Sequence, residues 1–514
     1  MSDTVTMGAT EAAGIEVGDQ RMLIDGEWCA AQSGRTLPIV NPANERQIGT
    51  LADAGAADVE RAVKAAADAF AQGEGQWAQR PVAERVAILG RVLDVLDGQA
   101  QQIGSMEVAG GGMTLRNAMG FHAMGAPGFV RANIAQAPTD QFVGLPLEEA
   151  PTVSANYLRR EPVGVVAALP PSNAGYFLGL YKTMCALVTG NAVVLKPSPF
   201  CSLGCAALAR AIDADPDIPK GVFHLLFGDT EAGPALTRHP LVDKISFTGS
   251  AETGRRVLAA AAPNLSRVTL ELGGKGPAIV LDDVDLGYAI DGMIWGFLWQ
   301  SGQACISGSR LLVPESLHDE VVQRLIDRCR TLVIGDPMSP DTDFGPVVSA
   351  AQRDKVEACI AGARAEGATV AYGGERPDLG PGFWVQPTIL DDVTNDMDIA
   401  QGEVFGPVLA VIRYRDEEDA LRIANDTEYG LSATVWTTSN ARAISMGKRL
   451  RAGTVWINDH HMVSPLAPFG GYKNSGMGRE FGIQGLEAFT EIKHMHLDLT
   501  GSGDRPVYGI LLGH

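Results

Sequence analysis

Three side chains stand where an apolar run ends and packing alone gives no reason for a polar group. Cys305 lies among small residues in Ser301-Gly-Gln-Ala-Cys-Ile-Ser-Gly-Ser-Arg310, Glu271 closes Val268-Thr-Leu270, and Asn173 follows Val163-Gly-Val-Val-Ala-Ala-Leu169 and two prolines. A thiol with small neighbours is accessible enough to act as a nucleophile, and a carboxylate in a pocket wall can act as a general base. Each also has a plainer reading, an inert buried cysteine and a solvated strand end. The amide of Asn173 is explained by neither. A fourth stretch, Phe247-Thr-Gly-Ser-Ala-Glu-Thr-Gly254, joins a strand to a probable helix. Its small residues would let an anion approach the helix N-terminus, or simply make a turn.

The elements that would carry these residues alternate. The pattern predicts strands at Val163–Leu169, Ala192–Leu195, Val222–Phe227, Lys244–Phe247 and Arg267–Leu272, with helices at Tyr176–Thr189 and Gly204–Ala214 between them. Such alternation implies a parallel sheet covered by helices, whose ligands sit beyond the carboxyl ends of the strands. Every strand end here carries a polar or glycine cluster: Ser172-Asn173, Lys196-Pro-Ser198, Gly228-Asp229, Thr248-Gly-Ser250 and Glu271-Leu-Gly-Gly274. Together they would form a cofactor-sized crevice. A second alternating region runs from Pro277 to about Gly470, two amphipathic helices are expected between residues 55 and 110, and Asp25-Gly26 reads as the turn of an opening hairpin. The strand-like tail Lys493–Thr500 has no obvious local partner.

Composition narrows the function classes. The 514 residues exceed a usual single domain, and 61 acidic against 41 basic side chains give a net charge of −20, with no basic block. That balance opposes a nucleic-acid or anionic-membrane partner. Residues 1–20 lack the charge and hydropathy pattern of a secretory signal, so a cytoplasmic location is expected. Seven cysteines without paired spacing give no disulfide framework, and neither Cys201 with Cys205 nor His460 with His461 completes a metal set.

Glu271-Leu-Gly-Gly-Lys275 and Gly302-Gln-Ala-Cys-Ile-Ser-Gly-Ser-Arg310, with Lys196-Pro-Ser198, Phe247-Thr-Gly-Ser250, Glu403-Val-Phe-Gly-Pro407 and Pro468-Phe-Gly-Gly-Tyr-Lys473 in that family's order, resemble the NAD(P)-dependent aldehyde dehydrogenase superfamily from about Met22 to Asp498. The resemblance implies an α/β fold of that type. A Rossmann-type cofactor domain would span 12–143 and 163–274, a catalytic domain 275–474, and oligomerisation segments 144–162 and 486–500. It implies that Cys305 is the nucleophile, that Asn173 and the Cys305 N–H form an oxyanion hole, and that Glu271 is the base for thioester hydrolysis. Lys182 and Glu480 would relay the released proton. On the cofactor side it implies Lys196 and Ser198 at the adenosine ribose, Ser250 at the pyrophosphate, and Glu403 with Phe405 at the nicotinamide. Gly228, Gly233, Phe247, Gly249 and Leu272 would shape the rest of that site.

Two departures from the family pattern bear on specificity. Pro199 stands where many NAD-preferring members carry Glu, which leaves NADP open while NAD is favoured. Pro171-Ser-Asn-Ala-Gly175 replaces the usual Pro-Trp-Asn-Phe-Pro, so the tunnel would be wider near the reacting carbon. The remaining tunnel positions implied are Ala174, Leu178, Tyr181, Ala304, Ile306, His461, Val463 and Phe469. Their apolar character points to a hydrophobic, aromatic or medium-chain aldehyde, oxidised to the acid through a thiohemiacetal and a thioester. The alternatives are a CoA-acylating enzyme, a semialdehyde or aminoaldehyde dehydrogenase of the same fold, and a non-catalytic binding protein. The family's strand pairing across subunits implies a homodimer or homotetramer.

Overall fold

Strand Val165–Leu169 is buried at all five positions, as a parallel strand covered on both faces must be. It is central in an eight-stranded sheet ordered Gly476–Met477, Arg267–Glu271, Lys244–Thr248, Val165–Leu169, Ala192–Leu195, Phe223–Leu225, Met22–Ile24, Glu27–Cys29. The five strands from Arg267–Glu271 to Phe223–Leu225 run parallel, and antiparallel strands close both edges. The expected hairpin forms one of those edges, with Asp25 and Gly26 at φ 55° and 72°, the pair of left-handed residues that its tight turn requires. This computed structural model describes residues 17–137, 142–149, 153–501 and 506–513. The start of the expected cofactor domain at residues 12–16, its residues 138–141, and residues 150–152 of the first oligomerisation segment lie outside the described residues.

A seven-stranded sheet follows, in the order Thr369–Tyr372, Thr388–Asp391, Val408–Tyr414, Arg310–Pro314, Pro277–Val280, Ser432–Trp436, Thr454–Ile457. It is parallel except at the Thr369–Tyr372 edge. Each sheet has its own core. The first gathers residues between Met22 and Leu272 and also Phe481, Leu486 and Phe489 from the far end of the chain, while helix faces on both sides of the second sheet supply two further clusters.

The tail finds its partner at long range. Thr490–Asp498 pairs antiparallel with Ser154–Pro162 over nine residues, from Thr490 opposite Pro162 to Asp498 opposite Ser154, and Phe142–Gly144 adds a third strand. Among the described residues no helix is long and apolar enough to cross a membrane.

Candidate active site

The loop that carries Cys305 begins with three consecutive left-handed residues, Gln300, Ser301 and Gly302, at φ 53°, 57° and 71°. Only the third is a glycine. A Cβ at position 302 would lie 2.3 Å from the Gly406 carbonyl group, so both backbone conformation and space require glycine there. The two strained residues are held by side-chain bonds, Ser301 Oγ donating to Gly345 O at 2.9 Å and Gln300 Nε2 meeting His122 Nε2 at 2.8 Å. Gln303 ties the loop further: its Nε2 donates to Gln300 O at 3.1 Å and its Oε1 accepts from Val348 N at 2.9 Å.

Asn173 sits between strand Val165–Leu169 and helix Gly175–Val188, and its Nδ2 donates to Gln303 O at 2.7 Å, two residues before the thiol. An amide nitrogen carries two hydrogens, so this bond orients the group and leaves one N–H to donate. Cys305 is half-buried. Burial pushes its thiol up to about 12, the carboxylates of Glu403 and Glu271 add to the rise, and the backbone N–H groups of Cys305 and Ile306 oppose it. Behind the loop, His460 Nε2 bonds Ile306 O at 2.9 Å and its Nδ1 bonds Thr434 Oγ1 at 2.6 Å, while His461 Nε2 bonds Gly296 O at 3.1 Å. His460 thus braces the loop with both ring nitrogens, whereas His461 is tied by one nitrogen to helix Leu286–Leu298.

A cavity of 860 Å³ opens on Cys305 and Asn173. Of the cofactor-side residues expected from sequence, Lys196, Ser198, Gly233, Phe247, Gly249, Ser250, Glu403 and Phe405 line it. Ala174, Leu178, Ala304, Ile306, His461, Val463 and Phe469 line it on the tunnel side. Burial draws Lys196 down to about 8, with Asp229 and Asp53 pulling the other way. Burial raises Glu403 to about 7, and Gly274 N donates to its carboxylate at 3.2 Å. Ser250 caps helix Ala251–Ala261 by accepting from Thr253 N at 3.2 Å, which leaves the helix N-terminus itself facing the cavity.

Six expected residues do not line the cavity. Gly228, at φ 152°, lets its strand end pass Ala54 and Ala232, and Leu272 packs against Gly254. Tyr181 is fully buried and its hydroxyl accepts from Phe481 N at 2.6 Å, so it supports the wall from behind. Lys182 and Glu480 form a buried ion pair that Ser246 Oγ joins, at 3.1 Å from Lys182 Nζ and 3.2 Å from Glu480 Oε1. Glu271 is buried with neither carboxylate oxygen hydrogen-bonded, and burial first, then the Glu480 charge, raise it well above the ordinary carboxylate range. Glu480→Ala would leave the Lys182 ammonium buried without its counter-charge. Urea unfolding should then show a loss of about 3–5 kcal/mol.

The tunnel walls hold residues that sequence reading missed. Phe121 packs edge-on to Trp299 at 4.8 Å and lies 4.9 Å from Phe177, while Trp299 lies 5.7 Å from Trp295 and 4.7 Å from the His461 ring. These rings also border an adjoining cavity of 200 Å³. Its lining contains no acidic or basic side chain except His461, which burial keeps far below the usual imidazole range and hence neutral.

Residues 28–495 match the profile of the Aldehyde dehydrogenase family. The chain belongs to that family. It is an oxidoreductase that acts on aldehydes with a nicotinamide cofactor. An aldehyde dehydrogenase of Aspergillus niger is 40% identical over 480 residues, covering 93% of this chain and 95% of its own. A betaine aldehyde dehydrogenase of Brucella melitensis is 38% identical, covering 94% and 98%. Among solved structures, the betaine aldehyde dehydrogenase of Staphylococcus aureus in complex with NAD+ superposes with a TM-score of 0.90 at 36% identity, over 94% of this chain and 96% of that one. For this aldehyde dehydrogenase, the parallel sheets, the thiol loop and the long cavity therefore belong to one architecture.

Proposed function

We propose that the chain oxidises an aldehyde carrying a quaternary or primary ammonium group to its carboxylic acid, with NAD, through a Cys305 thioester. The observation that carries the chemistry is the bond from Asn173 to the Cys305 loop at the cavity wall. Attack by Cys305 Sγ on the aldehyde carbon forms the C–S bond and moves the carbonyl electrons onto oxygen. The second Asn173 N–H and the Cys305 backbone N–H donate to that oxyanion. Collapse of the oxyanion re-forms the C=O bond, breaks the aldehyde C–H bond and expels hydride, leaving the thioester on Cys305; bound NAD would supply the acceptor for that hydride and a positive ring that draws the thiol down from its raised value. Glu271 then takes a proton from the water that attacks the thioester, after swinging out of its buried position. Lys182, Ser246 and Glu480 carry the proton away.

The residues fit the cofactor. Lys196, Ser198 and Glu403 offer ribose partners, and the N-terminus of Ala251–Ala261 offers backbone donors to a pyrophosphate. Asp229, which lines the cavity, and Asp53 act electrostatically on Lys196 and would repel a 2′-phosphate. The relatives named for betaine aldehyde, and the NAD+ in the Staphylococcus aureus structure, support the same reading.

The substrate reading rests on the rings around Phe121 and Trp299. Aromatic faces attract a cation, most strongly where water is excluded. A hydrophobic aldehyde is the second reading, favoured by Ile306, Val463 and Phe469 and by the lack of a carboxylate in the 200 Å³ cavity. Betaine aldehyde and its neutral isostere 3,3-dimethylbutanal separate the two. A cation-selecting site should give betaine aldehyde a kcat/KM higher by about thirtyfold, the equivalent of one desolvated cation–π contact, and NAD should outperform NADP. Equal or reversed values for the two aldehydes would establish the apolar reading.

We also propose that the free edge of Thr490–Asp498 pairs with a second copy of the chain. Ile492, Met495 and Leu497 on that strand are exposed, as are Phe142 and Val143 on the opposite edge of the sheet.

A further inference from the structure

The loop strain at Gln300 and Ser301 raises the question of what holds Gln300, since non-glycine residues keep such a conformation only where their surroundings dictate it. Its side chain reaches a buried pair far away in sequence. Glu107 and His122 are both 0% exposed, with His122 Nδ1 3.4 Å from Glu107 Oε2. Glu107 is itself fixed, accepting from Gly204 N and from the Cys201 thiol, each at 3.3 Å. No hydrogen bond forms across that 3.4 Å contact, yet a carboxylate on that side of the ring favours the ring proton on Nδ1, facing Glu107. His122 Nε2 is then an acceptor, and Gln300 Nε2 donates to it at 2.8 Å. Glu107 thereby favours one tautomer, the bond from Gln300 to His122 Nε2 fixes the orientation of the Gln300 amide, and that amide holds the first residue of the left-handed turn before Cys305.

The element that carries His122 strengthens the connection. Ala118–Ala123 is a π-helical turn, a rare form that frequently occurs at functional sites. It presents Phe121 to the cavity and His122 to the loop, so one turn borders the substrate and braces the nucleophile. Gln303, whose carbonyl accepts from Asn173, also donates to the Gln300 carbonyl. Any shift of Gln300 therefore moves thiol and amide relative to each other.

We infer that His122, oriented by Glu107, is a positioning residue for the reaction, acting through Gln300 on the geometry between Cys305 and Asn173. The inference rests on the aldehyde-oxidising chemistry proposed above. His122→Leu and Gln300→Met should each lower kcat by about tenfold to a hundredfold, the scale of a small misplacement of reacting groups. NAD affinity should be unchanged. Because both act through one bond, the double variant should be no slower than the slower single variant. His122→Gln, which keeps an acceptor near the ring Nε2, should recover most of kcat. If His122→Leu does not fold, Gln300→Met and His122→Gln carry the same comparison. Wild-type rates in the single variants, losses that multiply in the double, a His122→Gln variant that recovers nothing, or a parallel fall in NAD affinity would each overturn the inference. The rate of Cys305 alkylation by iodoacetamide separates the two proposals. A wild-type protein without aldehyde turnover refutes the proposed chemistry, whereas unchanged alkylation in His122→Leu and Gln300→Met refutes the positioning role.

Discussion

Cys305→Ala is expected to abolish NADH formation from any aldehyde, with kcat falling by at least about 10⁴-fold, as removal of a covalent nucleophile does elsewhere. The thiol stands at the cavity wall on a strained loop that Asn173 bonds at Gln303 O, with two backbone N–H groups acting on it. NAD binding should survive, because Lys196, Ser198 and Glu403 come from other elements. A calorimetric titration of the variant with NAD checks that separation. Turnover at the wild-type rate would remove the thioester route altogether. The raised thiol also fixes the sign of the pH dependence of acylation. With the pKa pushed up to about 12 in the absence of cofactor, the thiolate fraction grows as pH rises through the neutral range, and kcat/KM for aldehyde should grow with it.

The second large effect belongs to Glu271. Glu271→Gln keeps the shape of the side chain but removes the base, so acylation should proceed and hydrolysis should stall. Stopped-flow fluorescence should show a burst of NADH close to one equivalent per active site, followed by a steady rate lower by about 10²–10⁴-fold, the range that general-base groups supply. Mass spectrometry of the stalled enzyme should find the acyl group on Cys305. Loss of the burst together with the steady rate would assign Glu271 to acylation instead. In the wild type, burial and the Glu480 charge hold the carboxyl well above its ordinary range. Deacylation needs the ionised form and should therefore also speed up as pH rises, until the group is fully deprotonated.

How far the sequence revealed this site depends on the range of the signals. Cys305, Glu271 and Asn173 each stand at the close of a local apolar run, and strand periodicity puts Asn173 and Glu271 on one sheet edge, while Cys305 follows the helix Leu286–Leu298. Tyr181 shows the limit. Thirteen of the fourteen residues of Gly175–Val188 are buried, all but Leu178. A helix buried all round has no exposed face that periodicity can mark, so the pattern could not tell tunnel from support. The Phe121–Trp299 contact and the Glu107–His122–Gln300 chain join segments about 180 residues apart and leave no local trace. The tail strand was visible as a strand, but its partner Ser154–Pro162 lies more than 300 residues earlier.

The edge strand Gly476–Met477 has a consequence for how the protein is made. It pairs with Arg267–Glu271 so that Gly476 stands opposite Glu271, and residues from Phe481 to Phe489 complete the first core. A nascent chain that has left the ribosome only as far as residue 470 carries Asn173, Glu271 and Cys305 yet lacks the strand that closes the sheet beside the base. Closure over some two hundred intervening residues is a late event in folding. The reactive thiol is therefore translated well before its surroundings are finished, and the growing polypeptide completes its catalytic centre only after residues 476–489 have emerged.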